Sequence, residues 1–202
     1  MKSLLTISTL LLLAFTSDGQ LTKKTWLVGG SGSFYSYNQA YSSPTSNITA
    51  KYTSIDISTS VGYFVIDKLA FGLTPTFSSF KGGVVSTASY SGGTTNGHQL
   101  AIGPFVRYYF LNKEKPFNIL TVVDYQLGVN NSAAPPKSEG KFNKFSIMAG
   151  PEIFFNSSVG LEILLGYKAT TQTINTSSPY WFSDTYKGFQ ISVGFQIHLE
   201  KL

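Results

Sequence analysis

Seven charged side chains stand on the small, polar faces of segments in which apolar and polar residues alternate. They are Asp56, Arg107, Asp124, Lys144, Glu152, Glu162 and Lys168. If these faces point into a closed interior, the charges must pair with one another, because an unpaired buried charge is very costly. We expect the paired charges to fill the interior as a network of salt bridges. The alternative is that they gate a narrow pore.

The levels of these charges along their segments predict which of them meet. Counted from the nearest short turn, Arg107, Glu152 and Glu162 lie three or four residues along, so they are expected in one lower layer. Asp124 and Lys168 lie higher on their segments. The stagger between strands shifts such levels, so the pairing is a hypothesis. The predicted lumen network comprises Arg107, Glu152, Glu162, Asp124, Lys168 and Asp56.

The two histidines of the chain do not predict a catalytic site. His98 is expected near one rim of the molecule and His198 near the opposite rim, so they cannot share a site and each is interpreted as an ordinary rim residue. The stretch "GHQLAI" around His98 has serines nearby but no serine at the spacing of a hydrolytic pair. No cluster of His and carboxylate residues predicts a metal site. We therefore expect no enzymatic activity and no cofactor.

The N-terminal residues predict export. Lys2 precedes an apolar run of about a dozen residues and then Ser17, Asp18 and Gly19, which is the pattern of a signal peptide. The run is shorter than the roughly 20 residues of a membrane-spanning helix. We expect residues 1–19 to be a removed signal peptide and residues 20–202 to form one domain.

The amino-acid composition limits the kinds of protein that the mature chain can form. Charged residues make up 12% of the sequence, against about 25% in ordinary soluble domains, while aromatic residues reach 15%. The net charge of +5 is carried by scattered lysines, and no basic stripe interleaved with aromatics appears, so we expect no nucleic-acid binding. The chain has no cysteine and so no disulfide framework.

Eight segments with a two-residue period predict eight β-strands. They cover about residues 24–35, 52–66, 69–80, 99–110, 117–129, 144–155, 159–169 and 188–199. Short turns follow the second, fourth and sixth segments. Longer Gly-, Ser-, Thr- and Asn-rich stretches follow the others, at about 36–50, 81–97, 130–141 and 170–187. This alternation predicts an eight-stranded antiparallel up-and-down barrel with short turns on one rim and long loops on the other.

The residue types on the two faces predict a barrel with a polar interior and an apolar exterior, the reverse of a soluble barrel. The polar face is mostly Ser, Thr, Gly and Gln, which suits a crowded interior better than a charged, water-facing surface. The other face carries Leu, Ile, Val and Phe, with aromatics toward the strand ends, as a lipid-facing band requires. Strands of about 9 to 11 residues match the length of a transmembrane strand. The aromatic residues expected at the membrane interfaces include Trp26, Tyr63, Tyr108, Tyr125 and Tyr167.

Three prolines interrupt the predicted strands. Pro75, Pro104 and Pro151 lie on the outward face, and proline cannot donate a hydrogen bond to a neighbouring strand. We expect a bulge or a local gap in the pairing at each of them.

The chain resembles the small eight-stranded outer-membrane β-barrels, such as the transmembrane domain of outer membrane protein A, especially the Bacteroidetes-type form. The resemblance covers residues 20–202. It is carried by "GPFVRYYF" at 103–110, with an inward Arg, and by the chain end, where Ser192 and Gly194 precede alternating hydrophobic residues. A trailing "EKL" stands where the family has a terminal aromatic. The resemblance implies a transmembrane barrel in a Gram-negative outer membrane, with short periplasmic turns and long extracellular loops.

The expected role is structural, or surface interaction through the loops, in a monomeric barrel that contacts outer-membrane lipid. An extracellular ligand or surface partner would meet the loops, where Tyr180, Trp181 and Phe182 form an aromatic run that is expected to pack at the rim or to contact a partner. Two alternatives stay open: a low-conductance porin-like channel gated by the lumen charges, and a secreted soluble lipocalin-like barrel that binds a ligand.

Overall fold

The structure, a computed structural model, describes residues 21–43, 46–84, 94–112, 115–132, 138–175 and 181–199. Its strands are β1 Trp26–Ser43, β2 Ser46–Ile66, β3 Leu69–Val84, β4 Thr94–Tyr109, β5 Phe117–Ser132, β6 Ser138–Phe154, β7 Val159–Asn175 and β8 Trp181–Leu199. The described residues include no helix that is long and apolar enough to cross a membrane. The predicted signal peptide, residues 1–19, lies outside the described residues.

The eight strands form a closed antiparallel barrel in sequence order, as predicted. Each strand pairs with its neighbours in the chain, and β1 pairs with β8 from Trp26 opposite Leu199 to Phe34 opposite Ile191. Closure follows from the chemistry of the outer face. Backbone groups at an open edge beside an apolar surface would lack partners, and pairing the first strand with the last removes that edge.

The strands are longer than the predicted 9 to 11 residues. They range from 16 residues in β3 to 21 residues in β2. Much of the predicted loop at 36–50 is therefore paired strand, with Ser36 opposite Thr53 and Ser43 opposite Ser46. The predicted loop at 170–187 is likewise largely paired, with Thr170 opposite Tyr186. Side-chain alternation ends where both faces become polar, but ladder hydrogen bonds between backbone groups continue regardless of side-chain type.

The faces point as the residue types predict, with apolar side chains outside and small polar ones inside. Leu165 is 63% exposed and Leu100 is 59% exposed on the outer surface. Inside, Ser146 and Ser192 are buried and line one cavity together with charged residues such as Arg107. This arrangement is the opposite of that required by a soluble ligand-binding barrel, in which the apolar face lines the interior.

Aromatic side chains form an outer band at each end of the apolar surface. Toward the short turns, Trp26 is exposed and its ring packs edge-on against Tyr63, with ring centroids 5.1 Å apart. Tyr63 is half-buried, and Tyr108 is exposed and packs edge-on against Phe110 at 5.1 Å. Toward the other end, Tyr167 packs edge-on against Phe189 at 6.0 Å. The exposed aromatics at that end are Phe34, Phe77, Tyr125, Phe145, Tyr167 and Phe189, here called the upper belt.

Each of the three prolines lies at a local gap in one ladder, as expected. The paired residues skip from Ser58–Thr76 to Val61–Leu73, from Ile102–Leu127 to Phe105–Asp124, and from Ala149–Leu165 to Glu152–Glu162. The register is unchanged across each gap, so the proline removes a hydrogen bond without inserting a residue. The described pairings shift register between Phe64 and Ile66, away from the prolines.

Candidate functional site

The short-turn end of the lumen is closed by an apolar cluster. Leu21 precedes β1 and is only 1% exposed, because it packs among Leu27, Phe64, Tyr109 and neighbouring side chains. Hydrogen bonds hold this N-terminal segment across the end of the barrel. Leu21 O accepts from Lys68 N at 2.9 Å, and Lys24 N donates to Phe64 O at 2.9 Å. The segment therefore acts as a plug over this end of the lumen, a role that the strand pattern did not predict.

A charged layer lies directly above the plug. Arg107 Nη1 lies 2.7 Å from Glu162 Oε2 and 3.9 Å from Glu152 Oε2, and all three side chains are buried. This is the lower layer that the sequence predicts. Glu152 and Glu162 face one another directly across β6 and β7, where like charges repel. Arg107, reaching across from β4, supplies the one guanidinium that faces both carboxylates.

Three further side chains complete the hydrogen bonding of the two carboxylates. Tyr109 Oη donates to Glu152 Oε2 at 2.8 Å, and Gln196 Nε2 donates to Glu162 Oε1 at 3.0 Å. His198 Nε2 lies 2.9 Å from Glu152 Oε1 and is completely buried. An ionised carboxylate only accepts, so the imidazole donates from this nitrogen. Both oxygens of each carboxylate thus have a donor.

Glycines leave the space that this layer occupies. A Cβ on Gly160 would collide with the Glu152 side chain, and a Cβ on Gly29 would collide with Gln196. The glycines of the polar face therefore determine how closely the buried carboxylate and amide groups approach the barrel wall. Their scattered appearance in the sequence reflects the shape of the lumen.

A second charged layer lies farther from the plug. Lys168 Nζ donates to Asp56 Oδ2 at 2.7 Å, which joins β7 to β2 across the lumen. Asp56 also accepts from Ser54 at 2.8 Å, and Asp124 accepts from the hydroxyl of Ser146. Lys144 is buried near these groups but forms no ion pair within 4.0 Å among the described residues. Lys168 and Asp124 lie higher than Arg107, as expected, and Lys168 pairs with Asp56.

A small cavity lined by polar and apolar side chains lies between the two layers. It has a volume of about 50 Å³ and is lined by residues of both, including Arg107, Glu162, Asp56, Asp124 and Lys144. Known ligand pockets have volumes of roughly 300 to 1,000 Å³. One water molecule needs about 10 to 15 Å³. The cavity therefore has room for a few water molecules and not for an organic ligand.

The described residues offer little for other chemistry. They contain no group of three His, Cys, Asp or Glu side chains that could hold a metal ion. His98 lies on the outer surface, where its ring stacks on Phe77 at 5.5 Å. His198 is inside the lumen at the opposite end, so the two histidines are separate as predicted, but His198 is a network member and not a rim residue. Its shared parity with Gln196 and Ser192 is the signal that could have identified it.

The aromatic run predicted as a loop contact is described only in part. Tyr180 lies outside the described residues. Trp181 and Phe182 begin β8, where their backbones pair with Asn175 and Ile174 of β7. Their side chains are not described, so the contact remains a prediction.

Comparisons with known proteins agree on the architecture. No family model matches the sequence, and no curated protein matches it significantly. Among solved structures, Neisserial surface protein A is 18% identical, with 86% of this chain and 96% of that one aligned at a TM-score of 0.52. The outer membrane protein OprG from Pseudomonas aeruginosa is 12% identical, with 92% and 100% aligned at a TM-score of 0.58. At these identities the likeness shows the fold alone.

Proposed function

We propose that the protein is an integral outer-membrane barrel of a Gram-negative cell, exported by its signal peptide. The short turns lie in the periplasm and the opposite ends of the hairpins lie outside. Its role is structural, or surface interaction through those outer hairpins. It is a monomer without cofactor or catalytic activity, and its membrane partner is lipid. The observation that carries the proposal is the continuous apolar outer surface between two aromatic bands.

The energetics of that surface support a membrane location. Side chains such as Ile57, Leu73, Leu127 and Phe195 are all more than half exposed, and each fully buried large apolar side chain contributes about 1.5 to 3 kcal/mol. Immersion in acyl chains removes this surface from water. Soluble monomers rarely expose a continuous apolar surface of this kind. OprG, which has the same architecture, is by its name an outer membrane protein.

The filled lumen favours a structural or binding role over transport. The plug around Leu21 closes one end, and salt bridges cross the lumen at two levels above it. A channel gated by these charges is the second candidate. It is favoured by the cavity between the layers, because opening the lower layer and displacing the plug would connect that cavity to the periplasmic end.

An arginine scan of the outer surface tests the membrane location. Val193 lies midway along the apolar band of β8, so Val193→Arg is expected to destabilise the inserted barrel by about 2 to 4 kcal/mol. The matched control is Thr171→Arg on β7, beyond the upper belt, where the cost falls to about 0 to 1 kcal/mol. Urea unfolding from phospholipid vesicles measures both. Equal, small effects, with the wild type recovered as a monomer in detergent-free buffer, would refute the proposal.

Single-channel recording separates the two candidate roles. The wild-type barrel in a planar bilayer is expected to show no steady conductance. Discrete openings that disappear when the Arg107–Glu162 pair is held by engineered crosslinking between β4 and β7 would favour the gated channel instead.

A further inference from the structure

The outward-facing charges of the strands are all positive wherever the structure describes the side chain. They are Lys51, Lys81, Lys141 and Lys187, and each is exposed. The carboxylates described within the strands, namely Asp56, Asp124, Glu152 and Glu162, are all buried in the lumen. Among the side chains that the structure describes, the outer surface of the strands therefore carries lysine charge and no carboxylate.

These lysines all lie beyond the upper belt, on the side away from the short turns. Lys81 lies four residues beyond Phe77 of the upper belt, Lys141 lies four residues from Phe145, and Lys187 lies two residues from Phe189. A strand rises about 3.3 Å per residue and a transmembrane strand is tilted by about 45°. The ammonium groups are therefore at the level of lipid headgroups, on the side away from the short turns.

Two of the four lysines are close neighbours. Lys51 pairs with Gly83 and Lys81 pairs with Thr53 in the β2–β3 ladder, which makes the lysines diagonal partners on one face. Diagonal partners lie about 7 to 8 Å apart, which is within reach of long side chains, so the two ammonium groups repel each other. An anion between the two ammonium groups would convert this repulsion into attraction. Lys141 and Lys187 are separated by β7 and lie four residues apart in level along it.

The surroundings of the pair match an amphipathic ligand. On β4, Asn96 is opposite Lys81 and His98 is opposite Ser79, and both Asn96 and His98 are exposed. Directly below, toward the membrane centre, the surface changes to Ile55, Phe77 and Leu100, which are 58%, 44% and 59% exposed. Polar donors thus lie immediately above a continuous apolar surface.

We propose that this face of β2–β4 binds the phosphate group of an anionic membrane lipid, with Lys51 and Lys81 on either side of the phosphate. Asn96 and His98 lie beside the headgroup, and the acyl chains follow Ile55, Phe77 and Leu100. The apolar surface below the lysines favours a lipid over a soluble phosphate compound. This inference rests on the proposed membrane location.

The test compares two double variants with equal loss of charge. Wild type, Lys51→Gln/Lys81→Gln and Lys141→Gln/Lys187→Gln are purified in nonionic detergent micelles. The micelles contain phosphatidic acid or phosphatidylcholine with the same acyl chains, and native mass spectrometry counts the bound lipids. Wild type is expected to retain phosphatidic acid over phosphatidylcholine. Lys51→Gln/Lys81→Gln should bind phosphatidic acid about tenfold more weakly than wild type, because basic side chains attract anionic lipids. Lys141→Gln/Lys187→Gln should bind it within about twofold of wild type.

Three results would overturn the inference. They are equal losses in both variants, no preference for phosphatidic acid, and displacement of the lipid by millimolar inorganic phosphate, which would identify a site for a soluble anion. Gel mobility before and after boiling reports on each variant whether the closed barrel has formed. If the barrel is intact and inserted in the membrane, any of these results contradicts only the proposed lipid site and leaves the proposed function standing. A wild-type chain that does not insert contradicts the proposed function.

Discussion

Replacing Arg107 with methionine removes the cation that faces two carboxylates in the lower layer. Methionine fills much of the space of the arginine stem without its charge. Glu152 would keep Tyr109 and His198 as neighbours, but Glu162 would keep only the bond from Gln196. The two carboxylates would then face one another across β6 and β7 without a cation between them. The substitution therefore affects Glu162 more than Glu152.

The expected cost follows from the burial of these groups. Removing one partner of a buried ion pair costs about 3 to 5 kcal/mol, which at 1.36 kcal/mol per tenfold change is about two to three and a half orders of magnitude in the unfolding constant. Glu162→Gln removes one charged hydrogen bond and should cost about 1.5 to 3 kcal/mol. The double variant Arg107→Met/Glu162→Gln leaves no unpaired charge at position 162. It should therefore be more stable than the sum of the two single effects implies, by about 1 to 3 kcal/mol.

Urea unfolding in phospholipid vesicles measures these free energies. The fluorescence of the two tryptophans, Trp26 in the outer aromatic band and Trp181 at the start of β8, reports unfolding. Gel mobility without boiling gives an independent measure of the folded fraction. The matched control cycle combines Arg107→Met with Asp56→Asn, which belongs to the upper layer and shares no direct partner with Arg107. Its two effects should add within about 0.5 kcal/mol.

Additivity in the Arg107/Glu162 cycle would refute the reasoning. It would mean that the two side chains contribute independently, so that the short contact between them carries no coupling. An Arg107→Met variant as stable as wild type would refute it as well, because buried carboxylates cannot lose their cation without cost.

Valine at Gly72 is expected to cost about 1 to 3 kcal/mol or more in urea unfolding, because its Cβ would overlap the Phe105 ring and the facing backbone. Alanine at Gly32, where no atom lies within 4 Å of an added Cβ, should change the same midpoint little. Lys168→Met should destabilise more than Lys144→Met, since only Lys168 has an ion-paired carboxylate among the described residues; equal midpoints would contradict this. Leu21→Ala should cost about 2 to 5 kcal/mol by opening a cavity in the plug, and an unchanged gel transition temperature would show that the plug does not contribute to stability.

Several features of the site were predictable from residue parity. Inward placement of Arg107, Glu152 and Glu162 followed from their position between small polar residues, and their meeting in one layer followed from their distance to the short turns. His198 carries the same parity signal as Gln196, but its position near one end of β8 predicts only a rim residue, and its contact with Glu152 depends on the tertiary structure. Leu21 precedes the first alternating segment, so no periodic pattern could place it in the lumen.

The sequence by itself determined the number and order of the strands, their antiparallel closure and the direction of each face. Those features depend on a period of two residues and on side-chain size, both of which are local. Only the tertiary structure decided that Lys168 meets Asp56, that Asp124 meets Ser146, and that strands continue through the predicted loops. Which residues meet across the lumen depends on the stagger accumulated around the whole barrel. An alternating pattern contains no information about that stagger.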